Sequence, residues 1–202
     1  MKLLFSTLAL SVLTGLTANG ASITYDFDEL APGTGPFTDS KGGVVAMFSS
    51  PTDPGFGVAQ NLGAFAPPFK GKFITNGTGF PIDISFSEFL QSASLDFATD
   101  NLPFVSTLVT VKAYRGGPNG LLLATLGTPG AIPPGFNFPQ GVATISAAGF
   151  DTLVISGAQP GLAVDNLTVS TVPEPGPLGM FVLLSGLACY SKTRKSLFGT
   201  TE

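Results

Sequence analysis

The chain of 202 residues carries 9 Lys and Arg against 13 Asp and Glu, a net charge of −4, with no histidine, no tryptophan and one cysteine. That inventory excludes Ser–His–Asp and Cys–His catalysis, and zinc or iron sites built on histidine or paired cysteines. The acidic balance and the absence of a basic stripe argue against nucleic acid and anionic membrane surfaces as partners.

The first segment is a targeting signal. Lys2 supplies a positive start, Leu3 to Leu16 is apolar apart from small hydroxyl residues and Gly15, and Ala18 to Ala21 offers small residues for cleavage. Charge, length and exit fit a secretory signal peptide over residues 1–21.

The next segment, 22–171, reads as strands. Ile23, Tyr25 and Phe27 alternate with Thr24, Asp26 and Asp28, a period of two. Val44 to Phe48 and Phe73-Ile74 are weaker candidates. Ile82, Ile84 and Phe86 alternate with Asp83, Ser85 and Ser87, and Ala93, Leu95 and Phe97 alternate with Ser94 and Asp96. Val109, Val111 and Ala113 lead into the turn signal Gly116-Gly117-Pro118-Asn119-Gly120, from which Leu121 to Leu126 returns. Ala143 with Ile145, Leu153 with Ile155, and Ala163 to Val169 complete the set. The Pro-rich stretches Pro51 to Pro68 and Gly127 to Pro139 read as surface loops, and no helical period precedes residue 178. Many short alternating strands divided by turns predict an all-β fold, an antiparallel β-sandwich. The segment has no cysteine, so packing rather than disulfides must hold it.

Within that segment stand five bases and eleven acids, a net of −6. Two acids suffice for glycoside hydrolysis, but no paired-acid motif stands out, and the reading is non-enzymatic. Asp165 shares parity with Ala163, Leu167 and Val169, the expected inward set. An inward carboxylate needs a partner. Two readings stand: backbone N–H bonds at a strand edge or bulge, or a calcium ion bridging Asp165 with Asp26 and Asp28 at the end of the first strand, since hard oxygen ligands suit calcium. No other cofactor is expected. Phe56, Phe65, Phe69, Phe136 and Phe138 sit in Pro/Gly loops and read either as satellite core or as an exposed contact patch.

The C-terminus has three parts. Pro173, Pro175 and Pro177 lack an N–H and fix φ, so residues 172–177 form a stiff extended stem around Glu174. The thirteen residues from Leu178 to Tyr190 carry no charge. As a helix they rise about 20 Å, short of the roughly 20 residues a bilayer core needs. Lys192, Arg194 and Lys195 follow as a membrane stop that snorkels and sets the cytoplasmic side. The expectation is a transmembrane helix over 178–191 and a basic tail over 192–202, with Cys189 as a small residue inside the helix.

This order of Pro-Glu-Pro, short apolar run and basic cluster resembles the PEP-CTERM sorting signal of exported bacterial proteins. The resemblance implies recognition of Pro173, Glu174 and Pro175 by an exosortase, a membrane-held stage before processing, and a final place at the cell surface or in an extracellular polysaccharide matrix. Ser196 to Glu202 extends past the point where such tails usually stop. The stretch from Ile82 to Ser170 also resembles the jelly-roll, galactose-binding-like domains found ahead of such tails, through Ile84-Ser85-Phe86-Ser87, Ser94-Leu95-Asp96-Phe97, Val111-Lys112-Ala113-Tyr114 and the closing strand Leu162 to Val169. That resemblance implies a carbohydrate-binding module as the alternative role.

Overall fold

In the computed structural model, residues 20–77, 80–100, 107–157 and 161–172 are described. Ala21–Val172 forms one compact unit. Its strands are β1 (Ser22–Tyr25), β2 (Gly33–Thr34), β3 (Phe37–Lys41), β4 (Val44–Ser49), β5 (Gly57–Gln60), β6 (Lys72–Asn76), β7 (Ile82–Thr99), β8 (Leu108–Arg115), β9 (Leu121–Pro129), β10 (Gln140–Ser156) and β11 (Leu162–Thr171). Every pairing is antiparallel. No helix occurs among the described residues, so the all-β antiparallel reading stands.

Two pairs of expected strands are in fact single long ones. β7 and β10 pair along most of their lengths, with register shifts where Phe150 faces Leu90. Their first partnership, Gln140 to Ser146 on Ala98 to Ser92, lies beside β11. Their second, Thr152 to Ile155 on Ser85 to Ile82, lies between β4 and β8. The two strands therefore bend and serve two layers. Arg115 fixes the bend: its Nε donates to Gly149 O at 2.7 Å, an Nη donates to Ala148 O at 3.1 Å, and its guanidinium lies 5.4 Å from the centre of the Phe89 ring.

One layer is then β3-β4-β7-β10-β8-β9, and the other joins β2-β5-β6 and β1 through β11 to β7 and β10. Their inner faces share one core that takes Val44, Ile84 and Val111 from the first layer and Ile74, Leu95 and Val169 from the second. Tyr25 spans the gap: its hydroxyl donates to Val44 O at 3.0 Å, and burial pushes its pKa up to about 12, with Asp39 adding to the rise. Phe48 on β4 meets Tyr25 and Phe27 edge-on at 5.8 and 5.3 Å and stacks on Phe37 at 5.1 Å.

The loop reading of Pro51 to Pro68 is corrected. β5 lies inside it, and Phe56 is fully buried in the main core. Gly57 is where the backbone of β2 comes closest, since a Cβ there would sit 2.0 Å from Gly33 O. β9 likewise runs on to Pro129. β3 was not legible as a strand, because its Phe37-Thr38-Asp39-Ser40-Lys41 alternation is mostly polar and is held by pairing with β4.

Phe48→Ala removes the ring that joins the two layers. Truncating a buried Phe costs about 3–5 kcal/mol, and equilibrium urea unfolding should show a loss of that size. A loss under about 1 kcal/mol would mean that Phe48 is not a core residue.

Candidate functional site

The chemistry-bearing residues gather where β11 changes neighbours. Its first half, Leu162 to Val164, pairs with β6, and its second half, Leu167 to Ser170, pairs with β1 on the same edge. Between them the register against β7 slips by one residue after Asp165 opposite Asp96. Asn166 takes up the extra residue at φ 48°, a left-handed backbone that Asn tolerates better than most residues. This β-bulge reverses the side-chain phase. Leu162 and Val164 face the main core before it, and Leu167 and Val169 after it. Ala163 therefore belongs to the outer face, in a satellite cluster with Phe69, Phe73 and Ala98.

Asp165 follows Ala163 to that outer face. The inward parity inferred from Leu167 and Val169 is corrected, because the bulge lies between them. The carboxylate is nonetheless 1% exposed, since the segment 61–71 folds back over the sheet. Asp165 Oδ1 accepts the Asn166 N–H at 2.8 Å and Oδ2 accepts the Lys70 N–H at 3.3 Å. Asn166 Nδ2 donates to Asp96 Oδ2 at 2.8 Å and to Pro68 O at 3.3 Å. Asp28 holds the far end of the same segment. Its Oδ1 accepts the Lys72 N–H at 2.8 Å, and its backbone oxygen accepts from Lys72 Nζ at 2.7 Å. The Asp28 carboxylate fills the space a Cβ would need at Gly71, whose φ is 61°.

Asn61 organises the segment from within. Its Nδ2 donates to Phe65 O and Phe69 O, and its Oδ1 accepts from the N–H of Gly63 and of Phe65. Phe65 is then set against Phe69, Phe73 and Phe138 at 5.0, 5.2 and 5.4 Å. Phe65 and Phe69 thus serve as satellite core, the first of the two readings, whereas Phe56 belongs to the main core. Asn61 and Asn166 are the working residues the sequence reading missed. The sequence does carry a signal for Asn166: the large apolar residues fall at 162 and 164, then at 167 and 169, a change of phase that requires one extra residue between them.

Asp28 and Asp96 lie close enough to act on Asp165, but Asp26 turns elsewhere, to Lys41 at 4.0 Å, alongside the Lys41–Glu29 pair at 2.6 Å. No group of three or more His, Cys, Asp or Glu side chains among the described residues is arranged to hold a metal ion. Asp165 carries two N–H bonds, as the hydrogen-bonded reading expected. Pro173, Glu174, Pro175, Lys192, Arg194, Lys195 and Cys189 lie outside the described residues, as do most of the expected signal peptide and the apolar run 178–191.

Burial pushes the Asp165 carboxyl up to about 7; the N–H bonds from Asn166 and Lys70 pull the other way, and the charges of Asp28 and Asp96 add to the rise. Asp96 is also raised, mainly by burial, with the Asn166 bond opposing. With exposures of 1% and 9%, Asp165 addresses the loop backbone at Lys70 and Asp96 holds the Asn166 side chain that reaches Pro68 O. The chemical capacity of the pair is that of a latch between sheet and loop.

No family model matches the chain, and no curated protein matches it. Among solved structures, the K2 cleaved adhesin domain of Lys-gingipain aligns over 75% of this chain and 99% of its own at 11% identity and a TM-score of 0.49. The K1 cleaved adhesin domain of Lys-gingipain from Porphyromonas gingivalis W83 aligns over 76% and 99% at 10% identity and a TM-score of 0.48. The carbohydrate-binding module TmCBM27, described for specific mannan recognition, aligns over 75% and 99% at 12% identity and a TM-score of 0.45.

Two outcomes are expected. A group whose folded pKa is raised holds its proton in the folded state after the unfolded chain has lost it, so its stability contribution is full at low pH and is lost as pH rises through the folded value. Between pH 3.8 and about 7, Asp165 should make the domain less stable as pH rises, and Asp165→Asn should reduce that slope in thermal melts taken across the range. A slope identical in the variant would show that Asp165 does not titrate there. Separately, the melting curve should be the same in chelator and in millimolar calcium; a calcium-dependent rise of several degrees would favour the calcium reading over the hydrogen-bonded one.

Proposed function

We propose that the chain is a non-enzymatic, exported bacterial surface or extracellular-matrix protein, routed by a PEP-CTERM-type tail and carrying a jelly-roll, galactose-binding-like sandwich as its folded part. Exosortase is the processing partner, and the inner membrane is the station before processing. One observation carries this reading. The compact unit runs from Ala21 to Val172, between a signal-peptide exit and a Pro-Glu-Pro stem. Its two ends meet at one place: the Thr171 N–H donates to Ala21 O at 3.0 Å, and the Ala21 N–H donates to Thr171 Oγ1 at 3.0 Å. A signal-peptide cut after Ala21 would remove those two bonds but leave every β1–β11 pair from Ser22–Ser170 to Tyr25–Leu167, which supports a domain made to survive trimming at both ends.

The second reading is a carbohydrate-binding module. What favours it is the half of the outer sheet face beside β1 and β10, where the cross-strand pairs Thr24–Thr168 and Ser94–Thr144 stand in the open at 2.9 Å. A glycan array on the purified protein separates a defined sugar specificity from a matrix role without one.

Replacing Pro173, Glu174 and Pro175 together by Ala should leave the protein uncut in the inner membrane, read as a larger band in the membrane fraction. Processing and release equal to the parent would contradict the sorting assignment.

A further inference from the structure

The outer face of the β1-β11-β7-β10 layer carries two straight rows of hydroxyls. In one row Thr24 pairs with Thr168, Thr168 with Ser94, and Ser94 with Thr144. In the other, Ser22 pairs with Ser170, Ser170 with Ser92, and Ser92 with Ser146. All eight side chains are half-buried or exposed. Each is two residues from its counterpart in the other row, so the same face is presented throughout. The array starts immediately past the bulge at Asn166. On the other side of the bulge, segment 61–71 covers the same sheet face, over Ala98 and Ala163.

The register is that of a grid. Neighbouring strands stand about 4.8 Å apart, and two residues along a strand span about 6.7 Å. Threonine is stiff at χ1, and the first row is braced from within by the 2.9 Å contacts Thr24–Thr168 and Ser94–Thr144. No charged and no aromatic residue stands in either row. Each hydroxyl donates one hydrogen bond and accepts others, so the grid matches a partner that offers donors and acceptors alike, carries no charge, and repeats. An isolated small ligand would meet one or two of these groups and gain little, because single hydrogen bonds exchanged with water contribute little net. A repeating partner engages many at once, and its contacts add as in any multivalent association.

We propose that this grid is a docking face for an ordered, neutral polysaccharide, met along its extended chains rather than at a chain end. The proposal rests on the carbohydrate-contact reading for the class of partner and adds the surface that makes the contact. It concerns residues on the other side of the bulge from the Phe65–Phe138 cluster and requires no metal.

The test is adsorption of the full chain to microcrystalline cellulose as the neutral ordered probe, with alginate gel as the acidic one. Thr144→Val with Thr168→Val removes two hydroxyls while keeping β-branched side chains of similar shape, and Ser146→Lys at the rim of the grid is the second variant. The parent should adsorb to cellulose with no dependence on salt, and each variant should lower the partition coefficient by about tenfold or more at an unchanged melting midpoint. Three results overturn the proposal: no adsorption of the parent to cellulose, adsorption to alginate alone, or shaping of ice crystals by the parent without adsorption to cellulose. Adsorption undiminished in both variants also overturns it, while leaving carbohydrate contact through another surface intact.

Discussion

A single extra residue in the closing strand sets the arrangement of this domain. The bulge at Asn166 lets β11 serve β6 with one half and β1 with the other, and it keeps large apolar side chains on the core face through the change of partner. Without it, either Leu162 and Val164 or Leu167 and Val169 would be turned out of the core, because a one-residue slip moves a whole strand to the opposite face. The left-handed backbone this requires is unfavourable for most side chains, and here it falls on Asn.

The bulge also divides the outer face in two. On one side lie Ala163, Asp165 and Asp96, covered by segment 61–71, which is tied down by the Lys70 N–H on Asp165 and by Asn166 Nδ2 on Pro68 O. On the other side lie only small hydroxyl residues in register. The covered half accounts for the raised pKa of Asp165, since a carboxylate shielded from water and close to two others gains less from two N–H bonds than burial costs it.

Alternation in the sequence was enough to find β1, β8, β11 and both halves of β7 and β10, since each has one face in the shared core. It was not enough to show that the halves are joined. Bends are made by non-local contacts such as Arg115 on Gly149 O, and nothing in the local pattern at Phe89 or Gly149 reveals them. β2 and β5 escaped notice because they are short and each contains a glycine, and they exist through pairing, β2 with β5 and β5 with β6. At the site, the burial of Asp165 and its backbone partners were legible, but its face was not: parity counted from the C-terminal side of a strand fails across a bulge. Asn61 was invisible for a different reason. Its four bonds all close on its own loop, and a lone Asn among Gly and Pro residues is indistinguishable from ordinary turn chemistry.

The account stands most directly on the pinning of segment 61–71 by the bulge residues, and amide hydrogen exchange on the full chain reads it residue by residue. The Lys70 amide should be protected in the parent and should lose that protection in Asp165→Ala, while amides of β8 exchange as before. A Lys70 amide that exchanges in the parent at the rate of an open loop would contradict the account.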